Sequence, residues 1–182
     1  GMEVVLMDQW DPAKAIELID QEQCTVTGGA TTFVQDMLRE APEDWENSLR
    51  LIAVGGAYIS PDLIREVTTR FDCTVVRGYG STENPGMAKA FPSSSLSKRV
   101  ETDGTPIPGV KTKIVDVNTD EEVSTGESGE ILAYGPNLML GYNDPELNAD
   151  AFDGRWFRTG DIGTFDEDGY LTITGRVKDV II

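Results

Sequence analysis

Across the first hundred residues, short β-branched runs alternate with stretches whose apolar residues recur at helical spacing, and glycines cluster where the runs end. Parallel strands need a crossover long enough to hold a helix, so this alternation commits the chain to βαβ units and a parallel sheet. Val4 to Met7, Cys24 to Thr27, Leu51 to Val54 and Thr74 to Val76 read as the strands. Asp11-Pro12 supplies a cap and a first-turn proline for a helix to about Gln23, with Ala15, Ile16 and Ile19 on its apolar face. Thr31 or Thr32 opens a second helix that turns Phe33, Met37 and Leu38 inward. Ser60-Pro61 opens a third, to about Phe71, with Leu63, Ile64 and Val67 inward. Glycine-bearing loops at 28–29, 55–57 and 78–80 follow strands. Ligands of open parallel sheets gather beyond the carboxyl ends of the strands, so these loops are expected to converge on one cleft.

Past about residue 100 the pattern changes. Glycines and prolines punctuate short strands at Lys111 to Val117, Glu130 to Tyr134 and Tyr170 to Thr174, with no convincing long helix between them. The predicted fold is therefore α/β: a parallel-sheet part over 1–98, then a small β-rich, barrel-like subdomain over 99–175, joined through the serine-rich stretch Pro92 to Ser97. Asp166-Glu167-Asp168-Gly169 has acidic residues at calcium-loop spacing but lacks the longer ligand ladder and the distal glutamate, so it reads as a hairpin turn.

Composition excludes several classes of function. Fifteen basic residues against thirty-two acidic ones, a formal charge of -17, repel nucleic acid and anionic lipid. No apolar run approaches a membrane span and the start has no secretory signal pattern, which predicts a cytoplasmic protein. Cys24 and Cys73 sit singly in apolar runs, and there is no histidine to complete a zinc set or act as a base. Oligomeric state is not legible.

The sharpest local signal is Tyr79-Gly80-Ser81-Thr82-Glu83, directly after a strand. As a nucleotide edge it offers an aromatic face for a purine, a glycine for close backbone approach, a hydroxyl for a phosphate oxygen and a carboxylate for Mg²⁺. As plain structure it is a strand-to-turn junction with a buried tyrosine. The stretch resembles the Tyr-Gly-x-Thr-Glu signature of the adenylate-forming superfamily. Four further elements resemble that family in order: Gly55-Gly56-Ala57, Gly129-Glu130-Ile131-Leu132 through Gly141-Tyr142, Trp156-Phe157-Arg158-Thr159-Gly160-Asp161, and Gly175-Arg176-Val177-Lys178-Asp179. Arg77-Gly78-Tyr79 and the run Thr102 to Val110 look most like acyl-CoA synthetases of medium-chain or alicyclic acids.

The resemblance implies ATP-dependent activation of a carboxylic acid to an acyl adenylate, then thioester formation with coenzyme A, with ATP or AMP, Mg²⁺ and coenzyme A as ligands. It implies that Gly55, Gly56, Ala57, Tyr79 and Gly80 line the adenine, that Thr82 meets the phosphate, and that Glu83 binds the metal. Asp161 accepts from the ribose hydroxyls and Arg176 reaches ribose or phosphate; Thr82 and Glu83 are the residues nearest the chemistry. Lys178 is the hinge, so that 176–182 begins a further domain. Phe33, Gly78 and Pro85, with Met87, fall at acyl-pocket positions; for Phe33 plain core packing competes. The Gly-Glu-Ile-Leu run reads as structural. By the same resemblance the chain is an internal segment. Its phosphate loop would precede residue 1, and the catalytic lysine would follow Lys178; Lys89, Lys98, Lys111 and Lys113 match neither position. The isolated chain is then expected to be inactive. Two alternatives stay open: a segment of a peptide-synthetase adenylation domain, and a non-catalytic remnant.

Overall fold

The computed structural model describes residues 1–179. It is an α/β protein made of two compact units: Gly1–Arg77 with Phe91–Val100, and Gly78–Ala90 with the chain from Glu101 onward.

In the first unit, α1 (Pro12–Glu22) starts at Asp11, whose Oδ1 accepts from the Lys14 amide at 3.0 Å, with Pro12 in the first turn. It ends where Gln23 turns left-handed, φ 51°. Next come β1 (Val26–Ala30), α2 (Thr31–Glu40), β2 (Leu51–Gly55), α3 (Pro61–Arg70) and β3 (Thr74–Tyr79). α3 is capped by Ser60, whose Oγ accepts from the Leu63 amide at 3.3 Å. β1 and β2 pair in parallel, Val26 opposite Leu51. Ile52 and Val54 of β2 are buried while Ala53 between them is exposed, so the helices cover one face of this pair. The core gathers Ile16 and Ile19 of α1, Val34, Met37 and Leu38 of α2, and Ile64 and Val67 of α3. Trp45 closes it, its ring edge-on to Phe71 at 5.1 Å and its Nε1 donating to Asp20 at 3.0 Å. Burial pushes the Cys73 thiol up to about 11, so it stays protonated at neutral pH.

The second unit holds the last residues of β3, then β4 (Ala88–Lys89), β5 (Thr105–Pro106), β6 (Lys111–Val115), β7 (Gly129–Tyr134), α5 (Pro145–Ala151), β8 (Phe152–Asp153), β9 (Trp156–Phe165) and β10 (Leu171–Arg176). Its main sheet is antiparallel in the order β10-β9-β7-β6, with β8 folded back on β9. Ala88, Ile114, Ile131 and Leu171 form the centre, with Tyr79, Val123, Phe165 and Ile173 packed around them. The 166–169 stretch is the β9–β10 hairpin turn: Asp166 Oδ1 accepts from the amides of Asp168 and Tyr170 at 3.0 and 2.9 Å.

Several expectations are corrected. Val4 to Met7 forms no strand; Val4 and Leu6 are 67% and 84% exposed, so their apolar character reflects no core position in this chain. Gly28 and Gly29 lie inside β1, not in a loop after it. They are needed for close packing, since a Cβ on Gly28 would stand 2.7 Å from the Ala53 carbonyl oxygen and one on Gly29 2.7 Å from the Phe33 ring. The fold adds two helices: α4 (Leu96–Glu101), which takes over part of the expected connector, and α5, capped by Asp144 with Pro145 in its first turn. Both are too short to show a periodic apolar stripe. β9, the longest strand at ten residues, was legible only as a motif because its glycines interrupt the alternation.

Gly104 sits at φ +91°, and a Cβ there would run into the backbone of Lys89 and Ala90. Gly169, at φ +77°, has open space around it. Gly104→Ala is therefore expected to cost about 2–5 kcal/mol in urea unfolding, from strain plus collision. Gly169→Ala, which meets only the backbone strain, is expected to cost about 1 kcal/mol.

Candidate functional site

Three residues expected to serve the nucleotide meet in the second unit. The Tyr79 hydroxyl donates to Asp161 Oδ2 at 2.7 Å, and Arg176 Nε donates to Asp161 Oδ1 at 2.8 Å. Tyr79 ends β3 and packs on the unit's core. Burial first, and then the Asp161 carboxylate, push its phenol pKa well above the ordinary value, so it remains a hydrogen-bond donor.

Strand irregularities place the other two. β9 pairs with β7 as Ile162 with Glu130 and Arg158 with Leu132, so two extra residues of β9 bulge opposite Ile131. The bulge is Thr159-Gly160-Asp161, and Gly160 supplies its φ of +70°. Across the other edge, β10 gains one residue between Ile173 and Gly175, which brings Arg176 opposite Asp161. An ionised carboxylate has about four lone-pair sites. Tyr79 and Arg176 take one on each oxygen, leaving each oxygen a place to accept a further hydroxyl.

A second cluster surrounds Glu83. Gly80 permits the turn after β3, because a Cβ there would collide with the Gly86 amide. The Ser81 amide donates to the Asn84 carbonyl at 3.3 Å, and Met87 N returns to the Tyr79 carbonyl at 2.8 Å. This turn is tied to the 137–142 segment: Met139 N donates to the Glu83 carbonyl at 2.7 Å and Asn137 Nδ2 to the Pro85 carbonyl at 2.6 Å. The Tyr142 hydroxyl donates to Glu83 Oε1 at 2.9 Å. Tyr142 is itself fixed through its backbone, its N–H donating to Asn148 Oδ1 at 2.7 Å and its carbonyl accepting from Asn148 Nδ2 at 3.1 Å. Its own backbone N–H, then the Ser81 and Tyr142 hydroxyls, hold the Glu83 carboxyl below its ordinary pKa. A single ionised carboxylate of this kind suits Mg²⁺, which takes one or two protein carboxylates and fills its shell with phosphate and water oxygens. Thr82 beside it is exposed.

Gly55, Gly56 and Ala57 lie in the first unit at the end of β2, with Gly56 at φ +82° and nothing within 4 Å of the point where a Cβ would stand. Phe33 is also there, 37% exposed and stacked on Trp10 at 4.3 Å, so it is not a core residue. Gly78, at the end of β3, likewise has open space where a side chain would start. Pro85 is exposed and Met87 is fully buried. Lys178 lies in the 3₁₀ turn Val177–Asp179 and is exposed; the rest of the expected further domain, 180–182, falls outside the described residues. Arg77 is buried and donates to the Val100 carbonyl at 2.9 Å, a structural task. Sequence reasoning did not find Tyr142 as the partner of Glu83, nor Asn148 as the residue that holds Tyr142, because a contact across 59 residues leaves no local pattern.

The AMP-binding enzyme family matches residues 1–143, and the chain belongs to that family. It is 38% identical over its whole length to a medium-chain fatty-acid–CoA ligase of Escherichia coli, covering 32% of that protein. ATP-bound MatB from Rhodopseudomonas palustris superposes with a TM-score of 0.89 at 32% identity, over 97% of this chain and 35% of that one. The O-succinylbenzoate coenzyme A synthetase MenE of Bacillus subtilis, in complex with ATP and magnesium ion, gives 0.84 at 27% identity, over 96% and 36%. The chain thus spans about a third of the length of the relatives it matches. Among the described residues, no helix is long and apolar enough to cross a membrane.

Removing the Tyr142 hydroxyl takes one hydrogen bond from the ionised form of Glu83. Tyr142→Phe is therefore expected to raise the Glu83 carboxyl pKa toward its ordinary value, read by NMR titration of the side-chain carboxyl carbon. An unchanged titration curve would show that the hydroxyl does not act on this carboxylate.

Proposed function

We propose that this chain supplies the adenine, ribose and metal side of the nucleotide site of an AMP-forming acid–thiol ligase, an acyl-CoA synthetase. The observation that carries the reading is the Asp161 carboxylate, held between Tyr79 and Arg176 with one lone-pair site left on each oxygen. Two acceptors on one rigid carboxylate match a cis-diol. Tyr79 and Gly80 lie beside the base, and Thr82 donates to a phosphate oxygen. Arg176 adds a positive charge near ribose or phosphate.

In the whole enzyme the substrate carboxylate attacks the α-phosphate of ATP in line and pyrophosphate leaves. The thiol of coenzyme A then displaces AMP from the acyl adenylate. The protein's share of such chemistry is mainly positioning and charge stabilisation. Mg²⁺, when bound, offsets phosphate charge, and Glu83 would hold it. Gly78 and Pro85 border the acid, Lys178 serves as the hinge, and the enzyme is cytoplasmic. The medium-chain ligase relative makes straight-chain acids of that class the first substrates to try.

Titration of the 182-residue chain with AMP tests the binding half of this proposal. Saturable binding in the millimolar range is expected, weakened about tenfold or more by Asp161→Ala, which removes acceptors for two hydroxyls. No saturable binding at millimolar AMP would overturn it. Carboxylate-dependent exchange of pyrophosphate into ATP tests the catalytic half. It is expected to be absent from this chain alone and present when the chain stands within a protein of its relatives' length. Exchange by the isolated chain would refute the division of labour assumed here.

A further inference from the structure

Glu130 is the only charged residue of β7, a strand whose other residues from Gly129 to Ala133 are all buried, and it is itself 7% exposed. A carboxylate in such a position needs partners, and among the described residues each one it has belongs to the segment leading into Asp161. Oε2 accepts from Arg158 Nη1 at 2.7 Å, and Oε1 accepts from the Gly160 amide at 3.2 Å. The next residue of β7 completes the hold: the Ile131 carbonyl accepts from the Thr159 hydroxyl at 2.7 Å, and that hydroxyl accepts from the Asp161 amide at 3.0 Å. Asp120 grips Arg158 from outside at 2.6 Å, but its side chain is 61% exposed, and solvent screens that pair.

These contacts fall on the bulge of β9, where the strand ladder cannot satisfy the backbone amides. Glu130 replaces the missing ladder partner of Gly160, and Thr159 replaces that of Asp161. Two extra residues would otherwise be free to slide toward either end of the strand, and Asp161 would swing with them.

We infer that Glu130, paired with Arg158, is a positioning residue for nucleotide binding: it fixes the bulge that presents the Asp161 carboxylate to the ribose hydroxyls. The inference rests on the ribose role proposed above for Asp161. Glu130 does not touch the nucleotide. Its effect is therefore confined to the part of the affinity that comes from the two hydroxyls.

The test compares AMP with 2′,3′-dideoxy-AMP, which lacks both hydroxyls, by titration calorimetry on the unsubstituted chain and on Glu130→Ala, Glu130→Gln and Asp161→Asn, with thermal unfolding of each. Glu130→Ala is expected to weaken AMP about tenfold and the dideoxy nucleotide less than twofold. Glu130→Gln keeps the shape and an acceptor for Gly160 but loses the ion pair, and is expected to fall between Glu130→Ala and the unsubstituted chain. If the Asp161→Asn variant keeps the full preference for AMP, the ribose role itself fails. If it loses that preference while both Glu130 variants keep it, or weaken both nucleotides equally, Glu130 has no positioning role. Loss of the folded state in both Glu130 variants would make it a stability residue and overturn the inference.

Discussion

The position of Asp161 depends on two extra residues in one strand. β9 is hydrogen-bonded to β7 on one side and β10 on the other, so an insertion in it must be absorbed without opening either ladder. The chain absorbs it opposite Ile131, using Gly160 at positive φ and side-chain acceptors in place of ladder carbonyls. A bulge of this kind costs backbone pairing and turns a side chain away from the regular alternation. Here that side chain is Asp161, which reaches Tyr79 and Arg176 instead of packing or pointing to bulk solvent.

The second unit thus carries two preorganised carboxylates of different character. Asp161 is set in a sheet, with partners from β3 and β10, and one of them, Tyr79, is fixed by core packing. Glu83 sits on a turn, and its order comes from hydrogen bonds to the 137–142 segment, itself fastened by Asn148. The first arrangement suits the rigid diol proposed as the ligand of Asp161. The second suits the metal proposed for Glu83, which would carry several exchangeable waters.

Glycine does different work in different places. In β1 it lets strand β2 and the Phe33 ring approach the backbone, a packing requirement. At Gly56 and Gly78 it leaves space unfilled, which is what a ligand edge needs. At Gly104 and Gly160 it supplies a conformation that other residues adopt only with strain. The same residue type at the end of an apolar run therefore has no single meaning, which is why Gly28-Gly29 read as a loop.

The amino-acid sequence by itself determined the α/β class, the helices α1, α2 and α3, the first and third of them with side-chain caps, and the ordered motifs that mark the family, because capping chemistry, apolar periodicity and short motifs are local. It also named Tyr79, Glu83, Asp161 and Arg176. Only the tertiary structure decided which of them meet. Tyr79 and Asp161 are 82 residues apart, Glu83 and Tyr142 59, and Glu130 and Gly160 30, and no periodicity spans such separations. The bulge was equally hidden, since strand register depends on which carbonyl faces which amide across a sheet. Glu130 shows the limit most plainly. In sequence it is one acidic residue in a structural run; in the fold, it is buried and its partners among the described residues, Arg158 and Gly160, both lie on the strand just before Asp161.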